Sequence, residues 1–204
     1  MRWRNSTGVE RRVPAPVGSR AAGFSRVLLA FSLLLGAGAV HAAERPVEIL
    51  GGRKLSVQVP KNWTFEEVRD PKSGIPALRW LDPSGEIRLD VSFFPDANGW
   101  VATREGLDAE MEKIFAFYRD GAVEKDWKAV NLKPASGIGA YMSFTDRSLV
   151  GKKLPPGERL ISTTGIRSWK GAYLVFTLLS NSRDSAACRQ ALDIVRSGVK
   201  EAGR

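Results

Sequence analysis

The sequence predicts an α+β domain in which two main helices pack on a mostly antiparallel sheet of about seven strands. Most segments alternate polar and apolar residues, which is typical of strands with one buried face. Turn residues separate these segments at short intervals, which favours antiparallel pairing. Two other segments repeat apolar residues at the spacing of a helical face. Because no repeat or long linker interrupts 47–200, residues 43–204 are predicted to form a single domain.

The clearest strand pair comprises residues 77–81 and 86–94, which flank a segment where Pro83 and Gly85 suit a type I turn. In the second arm, apolar residues from Ile87 to Phe93 alternate with polar ones, so one face should be buried. Other strands are predicted over 47–50, 54–59, 64–68, 127–132, 140–145, 159–167 and 172–179.

Two segments predict helices. Over 104–119, apolar residues recur along one helical face from Leu107 to Tyr118. We interpret that aromatic stripe as core that rests on the sheet. A final helix is predicted over 186–199, capped by Asp184 or Ser185.

The first 42 residues predict a secretory signal peptide. Six arginines and one glutamate accompany an apolar run of 14 residues at 27–40, which ends at small residues around His41. A membrane-spanning helix needs about 20 apolar residues, so this run is short for an anchor. We predict cleavage after Ala42, a periplasmic or secreted protein, and no transmembrane segment after removal of the signal. An uncleaved N-terminal anchor is the alternative.

Removal of the signal changes the charge. The whole chain has 31 Lys and Arg against 22 Asp and Glu, a formal net charge of +9. Residues 43–204 keep 25 basic and 21 acidic residues, a net charge of +4. This mild charge, with no recognised nucleic-acid-binding motif, leads us to expect no nucleic-acid partner.

The predicted mature chain has no histidine, because the single one is His41. This excludes Ser-His-Asp and Cys-His catalysis and histidine-ligated metals. One cysteine cannot form an internal disulfide or a cysteine-rich zinc site, and we expect no metal and no cofactor. Cys188 lies at helical spacing from Leu192 and Val195, which favours a buried free thiol. An intermolecular disulfide or a reactive thiol is the alternative.

The first candidate binding site is a loop of residues 146–159, here called the basic loop. It joins two predicted strands and is long for a hairpin connection. Its glycines and prolines should fix its shape, and long shaped loops on rigid sheets often carry function. We interpret it as a docking loop for an anionic envelope component or an acidic partner protein. The alternative is a solvated loop with no partner. Its basic residues are Arg147, Lys152, Lys153 and Arg159.

Trp169 lies at a predicted hairpin tip beside Lys170. If exposed, it would suit binding. Packing against a neighbouring loop is the alternative.

The second candidate site is a polar face of the predicted sheet. If the strand registers agree, several polar side chains could share one face and form a shallow surface for a ligand or peptide. The alternative is an ordinary solvated face with cross-strand Arg–Asp pairs. The candidate residues are Arg88, Asp90, Tyr141, Ser143 and Thr163.

Among the acidic residues, one pair of carboxylates stays open as a candidate for hydrolysis. A glycosidase needs two carboxylates about 5–10 Å apart. Neighbouring Glu66 and Glu67 would point to opposite sides of a strand, and Glu110 and Glu112 do not face each other on a helix. Only Asp90 with Asp146 remains.

The segment 55–63, in which Pro60 and Trp63 follow a strand, resembles the start of PsbP-like and DcrB-like domains. The apolar strand 172–179 and the terminal helix resemble the C-terminal pair of those domains, and 143–158 is similar to small secreted proteobacterial proteins. The resemblance implies an α+β sandwich. It also implies an accessory or binding role, because members of this broad fold mostly attach to larger assemblies; no catalytic residue carries over.

Two functions follow from these observations. The first is an exported, non-enzymatic binding or accessory protein of the envelope. The alternative is a histidine-independent hydrolase that would use carboxylates or a Ser/Lys pair, with Asp90, Asp146 and Ser143 close together.

Overall fold

A computed structural model of the chain describes residues 43–49, 52–69, 75–169 and 171–201. The predicted signal peptide at 1–42 lies outside the described residues, so export and cleavage after Ala42 stay predictions.

The described chain contains ten strands, two α-helices and one π-helical turn. In chain order they are β1 (Ala43–Ile49), β2 (Arg53–Val59), β3 (Thr64–Arg69), β4 (Pro76–Leu81), β5 (Arg88–Pro95), α1 (Arg104–Tyr118), β6 (Val130–Asn131), β7 (Ile138–Thr145), β8 (Ile161–Trp169), β9 (Ala172–Ser180), α2 (Ala186–Asp193), the π-helical turn (Ile194–Gly198) and β10 (Val199–Glu201).

The strands form two antiparallel sheets. The larger sheet has seven strands in the order β3-β4-β5-β9-β8-β7-β6. The smaller one has three strands in the order β1-β2-β10. The α+β class, the antiparallel sheet of seven strands and the two helices agree with the sequence prediction. The separate three-stranded sheet was not predicted.

The turn between β4 and β5 is stabilised by a glycine conformation and by a side-chain hydrogen bond. Gly85 adopts a left-handed backbone with φ of 70°. The carboxylate of Asp82 accepts a 2.7 Å hydrogen bond from the backbone N–H of Ile87. A buried carboxylate thus satisfies a backbone donor that the turn would otherwise leave unpaired.

The main core lies between the two sheets. Strands of the larger sheet contribute Trp80, Leu89 and Phe176, and β2 contributes Leu55 and Val57, all fully buried. The indole of Trp80 donates a 3.1 Å hydrogen bond to the carbonyl of Gln58, which satisfies its N–H across the core. Cys188 of α2 belongs to the same cluster and is 2% exposed.

A second core lies on the other face of the larger sheet. The side chain of Thr103 caps α1 by accepting a 3.0 Å hydrogen bond from the N–H of Gly106. Leu107, Met111 and Phe115 then turn inwards onto β7 and β8. This confirms the aromatic stripe of the helix as core. The helix packs on one half of this face, and β3, β4 and β5 form the other half.

The C-terminal helix is shorter than its pattern predicts. The helix expected over 186–199 is α-helical only to Asp193, and it continues as the π-helical turn and β10. The guanidinium of Arg167 donates 2.8 Å hydrogen bonds to the carbonyls of Val195 and Val199. These two carbonyls thus bond to a side chain of β8, and Val199 pairs with Val57 of β2, so the segment after the π-helical turn is a strand. Within the described residues, no helix has the length and apolar character needed to span a bilayer.

Candidate functional site

The basic loop is held to the body of the protein by its two arginines. The guanidinium of Arg147 donates to the carbonyl of Ala122 after α1, with Nε 3.2 Å from that oxygen. The guanidinium of Arg159 donates to the carbonyls of Gly85 and Glu86 in the β4–β5 turn, with Nε 2.9 Å from the Glu86 oxygen. Both arginine side chains therefore bond to neighbouring turns, and each guanidinium has hydrogen-bond partners within the protein.

Local turns give the same loop a defined path. The carboxylate of Asp146 accepts a 2.8 Å hydrogen bond from the N–H of Ser148. The N–H of Glu158 donates 3.1 Å to the carbonyl of Pro155. Gly151 and Gly157 have φ of 71° and 83°, values that glycine adopts without strain. The sequence and the structure therefore agree that this connection is a shaped loop.

Lys152 and Lys153 project from the loop. Both are exposed, and neither makes an ion pair or a side-chain hydrogen bond with any residue that the structure describes. Of the four basic residues predicted for this site, the two lysines are thus the ones whose charged groups are not hydrogen-bonded within the described structure. Trp169 does not join them: it ends β8, roughly 27 Å along the strand from Ile161, where the loop ends.

Trp169 is not an exposed residue at the tip of its hairpin. Its ring is partly buried, lies 6.5 Å from the ring of Phe93 and packs on the main core. The guanidinium carbon of Arg167 lies 5.5 Å from the same ring. The packing alternative therefore describes this residue.

The predicted polar sheet face does not exist as one surface. The register across β5, β9 and β8 places Arg88 and Asp90 on the face that also carries α1. The same register places Tyr141, Ser143 and Thr163 on the opposite face, where the Ser143 and Thr163 hydroxyls lie 2.7 Å apart. The expectation was wrong because alternation fixes faces within one strand, whereas pairing register relates the faces of different strands.

Arg88 and Asp90 belong to a cross-strand charge network. The carboxylate of Asp90 lies 2.7 Å from Nε of Arg79 on β4 and 2.9 Å from Nε of Arg88. These side chains are 24–34% exposed. This is the arrangement that the solvated-face alternative describes.

The residues required by the hydrolase alternative are not brought together. Asp90 aligns across β9 and β8 with Met142 of β7, and Asp146 follows the end of that strand. Three strand spacings and four residues along a strand separate the two carboxylates by roughly 20 Å. Ser143 points to the other face of the sheet from Asp90. The structure therefore separates the one carboxylate pair that the sequence left open.

A shallow groove lies between α1 and the sheet, and the sequence did not reveal it. It has a volume of about 350 Å³, and Phe94, Phe117 and Tyr173 contribute its aromatic surface. Burial and the nearby carboxylates of Glu110 and Asp96 raise the pKa of Tyr173. Lys113 bonds to Glu110 at 2.6 Å, so the groove offers no single sign of charge.

A second cavity, of about 330 Å³, lies at the end of β8. Arg167 and Trp169 line it together with residues 136–137 and 199–201. Sequence reasoning missed this cavity because Arg167 lies in a strand whose other residues are apolar or small. A charged residue within such a strand was the available signal.

The described residues contain no cluster of three or more His, Cys, Asp or Glu side chains that could hold a metal ion.

No protein-family model matches the chain, and no curated protein matches it significantly. Among solved structures, it is similar to the cyanobacterial PsbP (CyanoP) of Synechocystis sp. PCC 6803, with a TM-score of 0.49 and 14% identity, over 82% of this chain and 96% of that one. It is also similar to the Ran-binding protein Mog1p of Saccharomyces cerevisiae, with a TM-score of 0.44 and 10% identity, over 78% of this chain and 93% of that one. Both likenesses concern the fold alone.

Proposed function

We propose that this protein is an exported, non-enzymatic binding protein that docks an acidic partner protein through the basic loop. The observation that carries the proposal is the pair of exposed lysines, Lys152 and Lys153, on a loop anchored at both ends. The predicted signal peptide supports a site of action in the envelope.

The anchoring of the loop favours binding. A flexible loop loses conformational entropy when a partner orders it, and that loss weakens the complex. Here Arg147 and Arg159 already bond to carbonyls of two neighbouring turns. The lysines are therefore presented on backbone that needs little further ordering.

The charge of the loop favours an acidic partner. It has four basic residues against Asp146 and Glu158, a net charge of +2. Because both arginines bond to backbone carbonyls, no acidic side chain is used to hold them. Complementary charge on a partner would speed association and fix its orientation.

The test is recovery of crosslinked partners from envelope fractions. Lys152→Glu with Lys153→Glu should lower the recovery of a specific acidic protein by about tenfold at low salt, because the charge of the loop reverses. The matched control is Lys54→Glu with Lys61→Glu, which makes the same change at exposed lysines on and after β2. The control should bind like the wild type.

Three results would overturn the proposal. Unchanged recovery with the loop variant would remove the loop from the binding site. Equal losses in both variants would indicate non-specific charge attraction. Equally tight binding to protein-free vesicles of anionic lipid would assign the loop to a membrane surface instead of a protein.

A further inference from the structure

Arg167 is a buried cation with no carboxylate partner among the residues that the structure describes. The residue is 2% exposed. Its guanidinium donates to the carbonyls of Val195 and Val199, each at 2.8 Å, and to the hydroxyl of Ser136 at 3.0 Å. Buried charges in proteins are normally paired with an opposite charge, because desolvation of a lone ion costs several kcal/mol. The positive charge is therefore solvated by neutral oxygens alone.

Two N–H donors near this charge also have no partner. The Nε–H of Arg167 and the indole N–H of Trp169 are both buried and make no hydrogen bond. An unmade hydrogen bond at a buried donor costs about 1–3 kcal/mol, so two such donors two residues apart in one strand are unusual. The guanidinium carbon lies 5.5 Å from the Trp169 ring, which places the two donors in one neighbourhood.

Both side chains line the cavity of about 330 Å³ at the end of β8. Ser136, Gly137, Lys200 and Glu201 are exposed and form its rim. Glu201 pairs with Arg53, which reduces the negative charge at the mouth of the cavity. A volume of this size suits a small ligand or one terminal residue of a peptide.

We infer that this cavity is a carboxylate-binding site, in which one oxygen of the ligand accepts from Arg167 and the other from Trp169. The carboxylate would supply the counter-charge and the two acceptors that the buried donors lack. A planar group with two oxygens suits two single N–H donors, whereas a phosphate has further charged oxygens that this pair of donors would leave without a partner. The ligand is a small organic acid or the C-terminal carboxylate of a peptide.

The test follows the indole N–H resonance of Trp169 in the ¹⁵N-labelled protein during titration. The probes are acetate, an N-acetylated dipeptide with a free C-terminal carboxylate, the same dipeptide as its C-terminal amide, and inorganic phosphate. Acetate or the free-acid dipeptide should shift the resonance in a saturable way, and the amide should not. Tight binding of the dipeptide with weak binding of acetate would identify a peptide end as the ligand, and the reverse would identify a small acid.

Substitution of a single donor completes the test. Trp169→Phe keeps an aromatic ring in the core and removes the N–H, so it should weaken carboxylate binding by about tenfold, as expected for one hydrogen bond to a charged group. Calorimetry measures the affinity of the variant and of the wild type for the carboxylate probes. The control is Trp100→Phe, which changes a 45% exposed tryptophan that does not line this cavity and should leave affinity unchanged.

The inference is overturned if neither acid binds, if the amide binds as tightly as the acid, or if phosphate binds in preference to both. It is also overturned if Trp169→Phe binds the carboxylate like the wild type, since the indole N–H would then not be one of the two donors that hold the ligand. Because this cavity lies at the other end of β8 from the basic loop, these outcomes are independent of the proposed docking function.

Discussion

Arginine and lysine play different roles in this protein. Arg147, Arg159 and Arg167 each donate to backbone carbonyls of distant segments, while Lys152 and Lys153 remain in solvent. A planar guanidinium has five donors and can bridge two acceptors, whereas an ammonium group is compact and strongly hydrated. The sequence predicted a basic loop but did not distinguish the roles of its four basic residues. Which of them bond within the protein depends on turns that are far away in sequence.

Glu124 is the residue for which pH dependence can be predicted. Burial raises the pKa of its carboxyl group, but hydrogen bonds from the N–H and hydroxyl of Thr145, both at 2.8 Å, and from Arg183 outweigh it. The pKa is therefore held below the ordinary value of 4.5. A lowered pKa means that the ionised form stabilises the fold above the ordinary pKa, and that this contribution is lost as the pH falls through the folded-state pKa.

We expect Glu124→Gln to lower the free energy of unfolding by about 1 kcal/mol at neutral pH, because it removes the charge from three hydrogen bonds. The difference from the wild type should shrink as the pH falls below the ordinary value of 4.5 and through the lower folded-state pKa, where the wild-type carboxyl becomes protonated. Urea denaturation across this pH range measures both. Glu112→Gln is the control, since Glu112 is exposed on α1. If the difference in the free energy of unfolding between wild type and Glu124→Gln stays constant with pH, Glu124 contributes to stability by packing instead of by its charge.

At the scale of helices and strands, features that depend on residues close in sequence were predicted correctly from local patterns. Features that depend on residues distant in sequence were not. The β4–β5 turn and the face of α1 depend on residues a few positions apart, and both formed as predicted. The π-helical turn after α2 bonds to Arg167, which lies 28 residues before Val195 and donates to its carbonyl. The shared polar face failed for the same reason, because register between strands is a long-range property.

Helix α1 offers a prediction in which packing opposes intrinsic propensity. Alanine is favoured over glycine in helices by about 1 kcal/mol, so Gly106→Ala would be stabilising on propensity alone. However, a Cβ on Gly106 would lie 2.6 Å from the carbonyl carbon of Trp100 and even closer to its oxygen. We expect Gly106→Ala to destabilise the protein by about 1–3 kcal/mol, as overpacking does.

Gly121→Ala is the matched control. Its added Cβ would have no atom within 4 Å except the carbonyl oxygen of Tyr118, at 3.8 Å. Urea denaturation should therefore show a stability near that of the wild type for Gly121→Ala and a clear loss for Gly106→Ala. Equal stability of the two variants would mean that the turn at Trp100 yields to the methyl group, and that its close approach to α1 does not stabilise the helix.

At the scale of the whole molecule, the three-stranded sheet joins the two ends of the described chain. β1 begins at Ala43 and β10 ends at Glu201, and both pair with β2. The sequence predicted strands over 47–50 and 54–59, which correspond to β1 and β2. It did not predict β10, because three residues after a helical segment have no alternation to recognise, and their partner Val57 lies 142 residues earlier. The core between the sheets is complete only when both ends are in place.

This closure makes Cys188 a reporter of the global opening of the protein. The thiol is 2% exposed, and its Sγ donates a 2.8 Å hydrogen bond to the carbonyl of Ser182. It belongs to the core cluster that also contains Val57 and Val199, one on each of the paired strands β2 and β10. We therefore expect a thiol reagent to modify Cys188 only through global unfolding. The free energy of unfolding obtained from labelling should then equal the one obtained from tryptophan fluorescence across a urea series.

The control is Ala116→Cys combined with Cys188→Ala, which moves the thiol to an exposed position on α1. This variant should react at the rate of a free thiol without denaturant. Rapid labelling of Cys188 in the native protein would instead show that α2 opens on its own, and that the core between the two sheets does not unfold as one unit.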